Sequence, residues 1–215
     1  MVYEDFTTYT EVDSAGDLTV TANNVDIDTM REDAVSYVFK DQGANHFGDF
    51  EHLIQGTYTT SQVSGRFGIE SLSNNLPLTQ QKMIDMSEGL YAQFFRSSAG
   101  GNPYQIFLRD YNTADLDTMD LGAAPPYTRY MTFKRTGTTA TLKIYTDAAR
   151  TVLEDTLTIT CVNDLYRYNG VAASRGTAGQ TDHATGDIDN LDLQEITTGV
   201  TTYGRLRGVV HWGIG

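Results

Sequence analysis

The middle of the chain alternates apolar and polar side chains with a period of two over three consecutive segments. These segments are residues 130–135, 139–145 and 155–161. Successive side chains of a β-strand point to opposite faces, so each segment places its apolar residues on one face and its polar residues on the other. Gly137 stands between the first two segments, where a tight turn needs a positive φ. The pattern therefore predicts a three-stranded antiparallel meander with one buried and one hydrated face.

Less regular alternation recurs along most of the remaining chain. The further predicted strands are residues 18–22, 25–27, 35–39, 47–58, 66–72, 90–96, 104–110, 165–171 and 188–193. Helical spacing of apolar residues is confined to residues 79–88, which predict one short helix. About a dozen strands separated by turns predict an all-β fold, a two-sheet antiparallel β-sandwich of the jelly-roll kind.

The length of the chain fits one such domain. A β-sandwich commonly reaches about 200–250 residues as a single unit, and this chain has 215 residues. Residues 1–195 are predicted to form the sandwich. Residues 196–215 are rich in glycine and contain the single tryptophan, Trp212. We expect them to form a C-terminal extension that packs on the domain or on a neighbouring subunit.

The formal net charge of −13 limits the partners of the protein. Nucleic acids and anionic membranes are bound largely through Lys and Arg, so we expect neither as a partner. The sequence lacks an apolar run of the ~18 residues that a membrane span needs, and residues 1–5 lack the features of a signal peptide. We therefore expect no membrane insertion, and a protein that stays in the cytoplasm or leaves the cell within an assembled particle.

The single cysteine continues the alternation of its strand. Cys161 follows Leu157 and Ile159 at a spacing of two and is therefore predicted to be buried. One cysteine cannot form an intrachain disulfide, and apolar surroundings disfavour the reactive thiolate. The sequence favours a structural role for this residue.

Three stretches resemble a known family. They are residues 37–41 with 46–53 (YVFKD and HFGDFEHL), residues 130–160 with their KIYTDAAR core, and residues 186–193 (GDIDNLDL). Together they resemble the concanavalin A-like lectin/glucanase, or laminin-G-like, domains of phage and environmental bacterial proteins. The resemblance spans about residues 5–193 and concerns mainly structural motifs.

The resemblance implies a jelly roll that binds sugars or partner proteins. It also implies that the closing strand at residues 186–193 pairs near the N-terminal strand at residues 18–22. Hydrolases of this superfamily carry a strand of the form Glu-x-Asp-x-x-Glu, which this sequence lacks. That difference argues against glucanase activity.

One strand nevertheless carries a pair of carboxylates. Asp49 and Glu51 lie two residues apart in the predicted strand at residues 47–58, so they should share one face at about 6.5–7 Å between Cα atoms. Glycosidases use two carboxylates about 5–9.5 Å apart as acid and base or nucleophile, and His52 adds a candidate general base. The alternative is that these carboxylates simply occupy a hydrated face opposite the buried Phe50.

Aspartates close in sequence suggest a calcium site. Asp115, Asp117 and Asp120 lie in the predicted loop at residues 111–126, and Ca²⁺ prefers clustered carboxylate and carbonyl oxygens. The aspartate pairs at 26/28 and 187/189 have the same spacing. None matches the twelve-residue calcium loop, and aspartates in loops often cap turns instead. The first group is the preferred candidate if Ca²⁺ is bound; no other cofactor is indicated.

Sugar recognition requires exposed aromatic rings, which pack on the apolar faces of pyranoses. Most Tyr and Phe residues are predicted to fill the sheet interface. Tyr130 and Tyr145 instead occupy the polar faces of their strands and are therefore candidate ligand contacts, together with Asp49, Glu51 and His52.

These observations predict a non-catalytic binding or structural module. We expect it at the surface of a phage virion, as a decoration or adhesion protein that contacts a glycan or a protein and assembles through residues 196–215. The alternative is a carbohydrate-active enzyme, a hydrolase or lyase that uses Asp49 and Glu51.

Overall fold

The structure, a computed structural model, describes residues 2–98, 101, 103–122 and 125–195. These residues form fourteen strands, the helix α1 (Gln80–Met86) and a 3-10 turn at Phe6–Thr8. In chain order the strands are β1 (Thr10–Asp13), β2 (Leu18–Val20), β3 (Asn24–Arg31), β4 (Ser36–Asp41), β5 (Phe50–Ser61), β6 (Arg66–Ser73), β7 (Leu90–Arg96), β8 (Tyr104–Asp110), β9 (Leu116–Gly122), β10 (Tyr127–Thr136), β11 (Thr139–Tyr145), β12 (Leu153–Thr160), β13 (Tyr168–Val171) and β14 (His183–Glu195).

The strands form two sheets of seven. Sheet I has the order β1-β4-β13-β6-β7-β8-β9, and sheet II has the order β12-β11-β10-β5-β14-β3-β2. Neighbouring strands pair antiparallel throughout both sheets. The predicted two-sheet antiparallel β-sandwich is therefore confirmed. No helix among the described residues is long and apolar enough to span a bilayer.

The predicted meander is present as β10, β11 and β12 in sheet II. Phe133 pairs with Leu142, which in turn pairs with Leu157, and all three side chains are buried between the sheets. Gly137 has a φ of 57° in the turn that joins β10 to β11, as its turn position requires. Cys161 is buried as predicted, and burial raises the pKa of its thiol to about 11. The period-two pattern thus correctly identified the inward face of these strands.

Aromatic rings join the two sheets. Tyr58 of sheet II stacks on Phe94 of sheet I at 5.3 Å between ring centroids, and Phe67 and Tyr104 meet Tyr58 edge to face at 5.5 Å each. Burial of each such side chain contributes roughly 1.5–3 kcal/mol to stability, and aromatic pairs contribute further. This packing makes the pair of sheets one rigid frame for the surface groups that they carry.

Three details differ from the sequence prediction. Residues 111–126 were expected to be a loop, but β9 forms there because Met119 and Leu121 are buried at a spacing of two; burial and pairing with β8 outweigh the low strand preference of aspartate. The strand β1 was not predicted. The closing strand β14 pairs with β3 and β5, so β3 separates it from β2. Residues 196–215, the predicted extension, lie outside the described residues.

Candidate functional site

The outer face of sheet I is covered over its central strands. Leu78 and Met83, which lie before and within α1, pack together with Ala173 onto Tyr91 and Phe107 of this face, forming a second apolar cluster. All five side chains are buried. Strand β7 is accordingly buried on both faces from its first residue to its fifth. A ligand therefore finds little accessible surface over these central strands of sheet I.

The outer face of sheet II instead carries a regular array of polar and aromatic side chains. Strands β10 and β11 alternate between buried and partly exposed residues. On their outer face, Tyr130 lies directly opposite Tyr145, Thr132 opposite Lys143, and Lys134 opposite Thr141. Cross-strand neighbours at such positions are about 4.5–5.5 Å apart at Cβ. The alternation of these strands thus assembles one continuous polar surface around a tyrosine pair.

A first depression of about 140 Å³ lies on this surface, over β5, β10 and β11. Its lining residues are Glu51, Thr132, Lys134, Thr141, Lys143 and Tyr145. Glu51 accepts a hydrogen bond from Lys134 Nζ at 2.8 Å, and this ion pair fixes one wall of the depression. Lys143 is exposed on the opposite side.

A second depression of about 120 Å³ lies beside the first, on the other side of the tyrosine pair. Its lining residues are Tyr3, Gln55, Tyr130, Ala148, Arg150 and Asn190. The Asn190 amide donates to Gln55 Oε1 at 3.2 Å, so these two amide side chains orient each other within its lining. The two depressions together offer cations, amides, hydroxyls and aromatic rings on one face.

The turn between β11 and β12 brings Arg150 onto the sheet. Asp147 accepts hydrogen bonds from the backbone amides of Thr151 and Val152, at 2.9 and 2.6 Å, and these bonds lower the pKa of its carboxyl. Arg150 has a φ of 54° in this turn, and its guanidinium reaches the carbonyl oxygens of Met131 and Ile54 at 3.4 Å. Burial lowers the pKa of the Arg150 guanidinium.

The structure brings together three of the five predicted ligand contacts. Glu51, Tyr130 and Tyr145 all line the two depressions. Asp49 lies before β5 rather than within it, and its carboxylate accepts a hydrogen bond from the Gly137 amide at 2.7 Å. The expected Asp49/Glu51 pair on one strand face is therefore not formed, because Asp49 supports the β10–β11 turn.

His52 occupies the interior, not the predicted surface. It points inward from β5, as Phe50 and Ile54 do, and it is fully buried. Its Nδ1 lies 2.5 Å from Glu70 Oε1 between the sheets. The prediction that His52 joins Glu51 at a binding surface is wrong, because adjacent residues of a strand point to opposite faces.

The predicted calcium ligands do not converge. Asp115 and Asp117 accept hydrogen bonds from the backbone amides of Thr160 and Thr158, at 2.7 and 2.8 Å. Asp120 accepts one from Gln105 at 2.6 Å. The first two bonds link Asp117 of the edge strand β9, and Asp115 just before it, to the edge strand β12 of sheet II, and they satisfy edge amides that would otherwise be open to pairing. Across the described part of the chain, no three His, Cys, Asp or Glu side chains are arranged to hold a metal ion.

The other two aspartate pairs meet on the outer face of sheet II. Asp26 of β3 lies directly opposite Asp187 of β14. The Asn24 amide donates to Asp189 at 2.8 Å, and Gln55 donates to the same carboxylate at 3.1 Å. Partial burial raises the pKa of both Asp26 and Asp189, and the nearby Asp187 raises both further. This acidic strip borders the second depression through Gln55.

Removing one carboxylate from the acidic strip should stabilise the fold at neutral pH. A carboxyl whose folded-state pKa is raised opposes folding when charged, so stability falls as pH rises from the unfolded value of about 3.9 through the raised folded value. We expect Asp26→Asn to raise the Tm by about 1–2 °C at pH 7, since like charges directly opposite on two strands cost up to about 1 kcal/mol. The gain should be smaller at pH 3.

Thermal unfolding followed by circular dichroism at both pH values tests this expectation. Glu11→Gln is the matched control, because it removes one negative charge from the exposed face of β1 in the other sheet. An equal rise in Tm at both pH values, or a rise no larger than that of the control, would show that repulsion between the aspartates of the strip does not destabilise the fold.

Several site residues were missed in the sequence. Lys143 and Lys134 lie on the polar face that the alternation predicts, but nothing in the pattern distinguished them from other solvated lysines. Arg150 lies in a turn, and Gln55 and Asn190 belong to strands that are distant in sequence from the meander. Their convergence depends on which strands become neighbours, and no local signal carries that information.

Comparison with known proteins supports the fold. The sequence matches no family model and no curated protein. Among solved structures, the exoplasmic/lumenal domain of VIP36 with Ca²⁺ and Man2 bound has 9% identity and a TM-score of 0.58, covering 90% of this chain and 83% of that chain. A functionally unknown protein from Saccharomyces cerevisiae has 10% identity and a TM-score of 0.56, covering 89% and 98%.

A third solved structure, the legume lectin-like domain from Entamoeba histolytica, has 12% identity and a TM-score of 0.53, covering 86% of this chain and 89% of that chain. Identities this low establish a shared architecture and not a shared activity. The chain thus has the concanavalin A-like jelly-roll fold, as the resemblance implied.

Proposed function

We propose that this protein, a concanavalin A-like sandwich with one open polar face, binds glycans on the outer face of sheet II. The observation that carries the proposal is the tyrosine pair Tyr130 and Tyr145, directly opposite each other between two polar depressions. Both rings are only partly buried. Such rings can pack against the apolar faces of sugar rings while neighbouring polar groups bind the hydroxyls.

The polar groups are held before any ligand arrives. Gln55 is bonded to both Asn190 and Asp189, and Lys134 is bonded to Glu51. Side chains already fixed in this way lose less conformational entropy on binding. A shallow, rigid and hydrated surface of this type suits a sugar chain better than a compact apolar ligand.

The structural neighbours agree with this proposal. VIP36 was solved with Man2 and with Man3GlcNAc bound, so a sandwich of similar architecture presents a sugar site in that protein. The proposal for this chain depends on its own surface residues, because the fold alone does not determine function.

We propose binding without catalysis. Asp49, one of the two carboxylates that the enzymatic alternative needs, is bonded to the Gly137 amide and is not among the lining residues of either depression. Glu51 is paired with Lys134. Release of new reducing ends or unsaturated products from a bound polysaccharide, lost in Glu51→Gln, would instead favour the hydrolase or lyase alternative.

Calcium dependence, self-association through residues 196–215 and location at a virion surface stay predictions from the sequence. The carboxylates of Asp115, Asp117 and Asp120 do not converge, so this group does not support the expected calcium site. Glycan binding is therefore measured with and without a chelator.

Removal of either ring should weaken glycan binding. We expect Tyr130→Ala and Tyr145→Ala each to lower the affinity for glycans about tenfold, because a central tyrosine commonly contributes more than 1 kcal/mol to an interface. A glycan array identifies the ligands, and isothermal titration calorimetry measures the change.

Tyr168→Ala is the matched control. Tyr168 is a partly buried tyrosine of β13 in sheet I, far from the proposed surface. Thermal unfolding verifies that the variants fold. If all three variants bind glycans as well as the parent protein, or if the array shows no binding, the proposed site is wrong.

A further inference from the structure

The proposed binding surface differs in charge from the rest of the protein. The chain has 28 acidic and 15 basic residues. The lining residues of the two depressions, however, include three cations, Lys134, Lys143 and Arg150, and one carboxylate, Glu51. The lining residues thus carry a net positive charge beside the tyrosine pair, while the acidic strip of Asp26, Asp187 and Asp189 lies next to the second depression.

Two of the three cations form no close ion pair, although Asp192 interacts with the Arg150 charge at longer range. Lys134 is neutralised by Glu51 at 2.8 Å. Among the residues that the structure describes, neither Lys143 nor Arg150 has a carboxylate within 4.0 Å. Their charges are therefore available to a ligand, one in each depression.

Arg150 is in an unusual environment for an unpaired cation. Its guanidinium is partly buried, and its hydrogen-bond partners are two carbonyl oxygens at the long distance of 3.4 Å. A partly desolvated charge attracts an opposite charge more strongly than one in bulk water. The planar guanidinium can also bind a carboxylate or similar oxyanion through two parallel hydrogen bonds.

We infer that the proposed site takes an acidic glycan, whose anionic groups pair with Lys143 and Arg150 while its sugar rings pack on Tyr130 and Tyr145. This inference rests on the proposed function and specifies its ligand class. The shared chemistry is an oxyanion on a sugar ring, either the carboxylate of a uronic acid or a sulfate ester.

Nonspecific electrostatic attraction cannot produce a preference for acidic over neutral glycans. A net charge of −13 repels a polyanion at long range. At physiological salt this repulsion is screened within about 8 Å, whereas pairs formed in contact on a partly buried surface are screened much less. Any selectivity for an acidic glycan therefore originates at local cations.

The test uses matched pairs of neutral and charged ligands. On a glycan array and then by calorimetry, polygalacturonate is compared with its methyl ester, and dextran sulfate with dextran. Each pair keeps the sugar backbone and removes the charge. We expect at least one charged ligand to bind about tenfold or more tightly than its neutral counterpart, the size of one charge-assisted hydrogen bond. The pair that shows this ratio identifies the anion.

Two variants test whether the cations of the two depressions cause the preference for a charged glycan. Lys143→Gln and Arg150→Gln should each lower the affinity for the charged ligand about tenfold, and lower the affinity for its neutral counterpart by a smaller factor, so that the ratio of the two affinities falls. Lys82→Gln in α1, on the covered side of sheet I, is the control for loss of one positive charge. Lys143 is exposed, so its replacement keeps the test valid even if Arg150→Gln proves unstable.

The outcomes separate the two claims. If neutral glycans bind as tightly as charged ones, or if Lys143→Gln and Lys82→Gln have equal effects, the acidic-ligand inference is overturned while glycan binding stands. If no glycan of either kind binds, the proposed function itself fails.

Discussion

Replacement of Glu70 by leucine should lower the free energy of unfolding by about 3–5 kcal/mol, because two buried polar side chains then lose their partner and each such loss costs about 1–3 kcal/mol. Glu70 lies in β6 between the two sheets and is fully buried. Its Oε1 lies 2.5 Å from His52 Nδ1 and accepts a hydrogen bond of 2.5 Å from the Asn169 amide. Both partners are also fully buried.

The cost arises from the partners that are left behind. Leucine preserves most of the side-chain volume but offers no hydrogen-bond acceptor. The ring of His52 and the amide of Asn169 therefore lose the Glu70 carboxylate as a partner, in a region without solvent. His52 Nε2 and Asn169 Oδ1 already lack a partner among the described residues.

A double-mutant cycle tests this account of the buried cluster. Denaturant unfolding is measured for Glu70→Leu, His52→Leu and the double variant, and the coupling energy between the two sites should be about 1 kcal/mol or more. Glu11→Leu, on the exposed face of β1, should change stability by no more than about 0.5 kcal/mol. Additive effects at positions 52 and 70, or a small effect of Glu70→Leu, would show that the cluster does not stabilise the fold.

Replacement of Gly186 by alanine should cost about 3 kcal/mol, the upper end of the usual range for overpacking a core. Gly186 lies in β14, in the middle of sheet II. A Cβ atom there would lie 2.1 Å from the carbonyl oxygen of Thr57 and 2.6 Å from the ring of Phe67. Neither the neighbouring strand nor the ring from sheet I can withdraw without disturbing the aromatic packing between the sheets.

Gly48→Ala is the matched control for this substitution. A Cβ atom at Gly48 would meet only the flexible end of Leu165 at 3.3 Å, and Leu165 is 45% exposed. We expect its effect on the free energy of unfolding to stay below about 1 kcal/mol. Equal effects of the two substitutions in urea unfolding would mean that the close approach of the sheets at Gly186 is not required.

The candidate site could be predicted in part. Alternation placed Tyr130 and Tyr145 outward on their strands, and they meet because β10 and β11 are joined by a tight turn. It also placed Glu51 outward, but the same rule places its neighbour His52 inward, where it was not expected. Arg150 was beyond prediction, since its position depends on how a turn folds back over strands β5 and β10.

The aspartates illustrate the same limit. Asp115 and Asp117 are close in sequence, which suggested a shared metal ion. In the structure, each carboxylate accepts a hydrogen bond from a backbone amide of β12, a strand of the other sheet. Their role is decided by a contact between sheet edges that lie about forty residues apart in the chain, and spacing within one segment cannot reveal it.

The sequence by itself determined which side chains of each strand face inward, because the period of two is a property of the local backbone. It thereby determined the two-layer fold and the burial of residues such as Leu142 and Cys161. The tertiary structure alone decided that sheet I is covered by Leu78 and Met83 while sheet II stays open. The physical reason is that covering a face requires segments distant in the chain to pack on it, so the location of a binding surface is a property of the assembled layers.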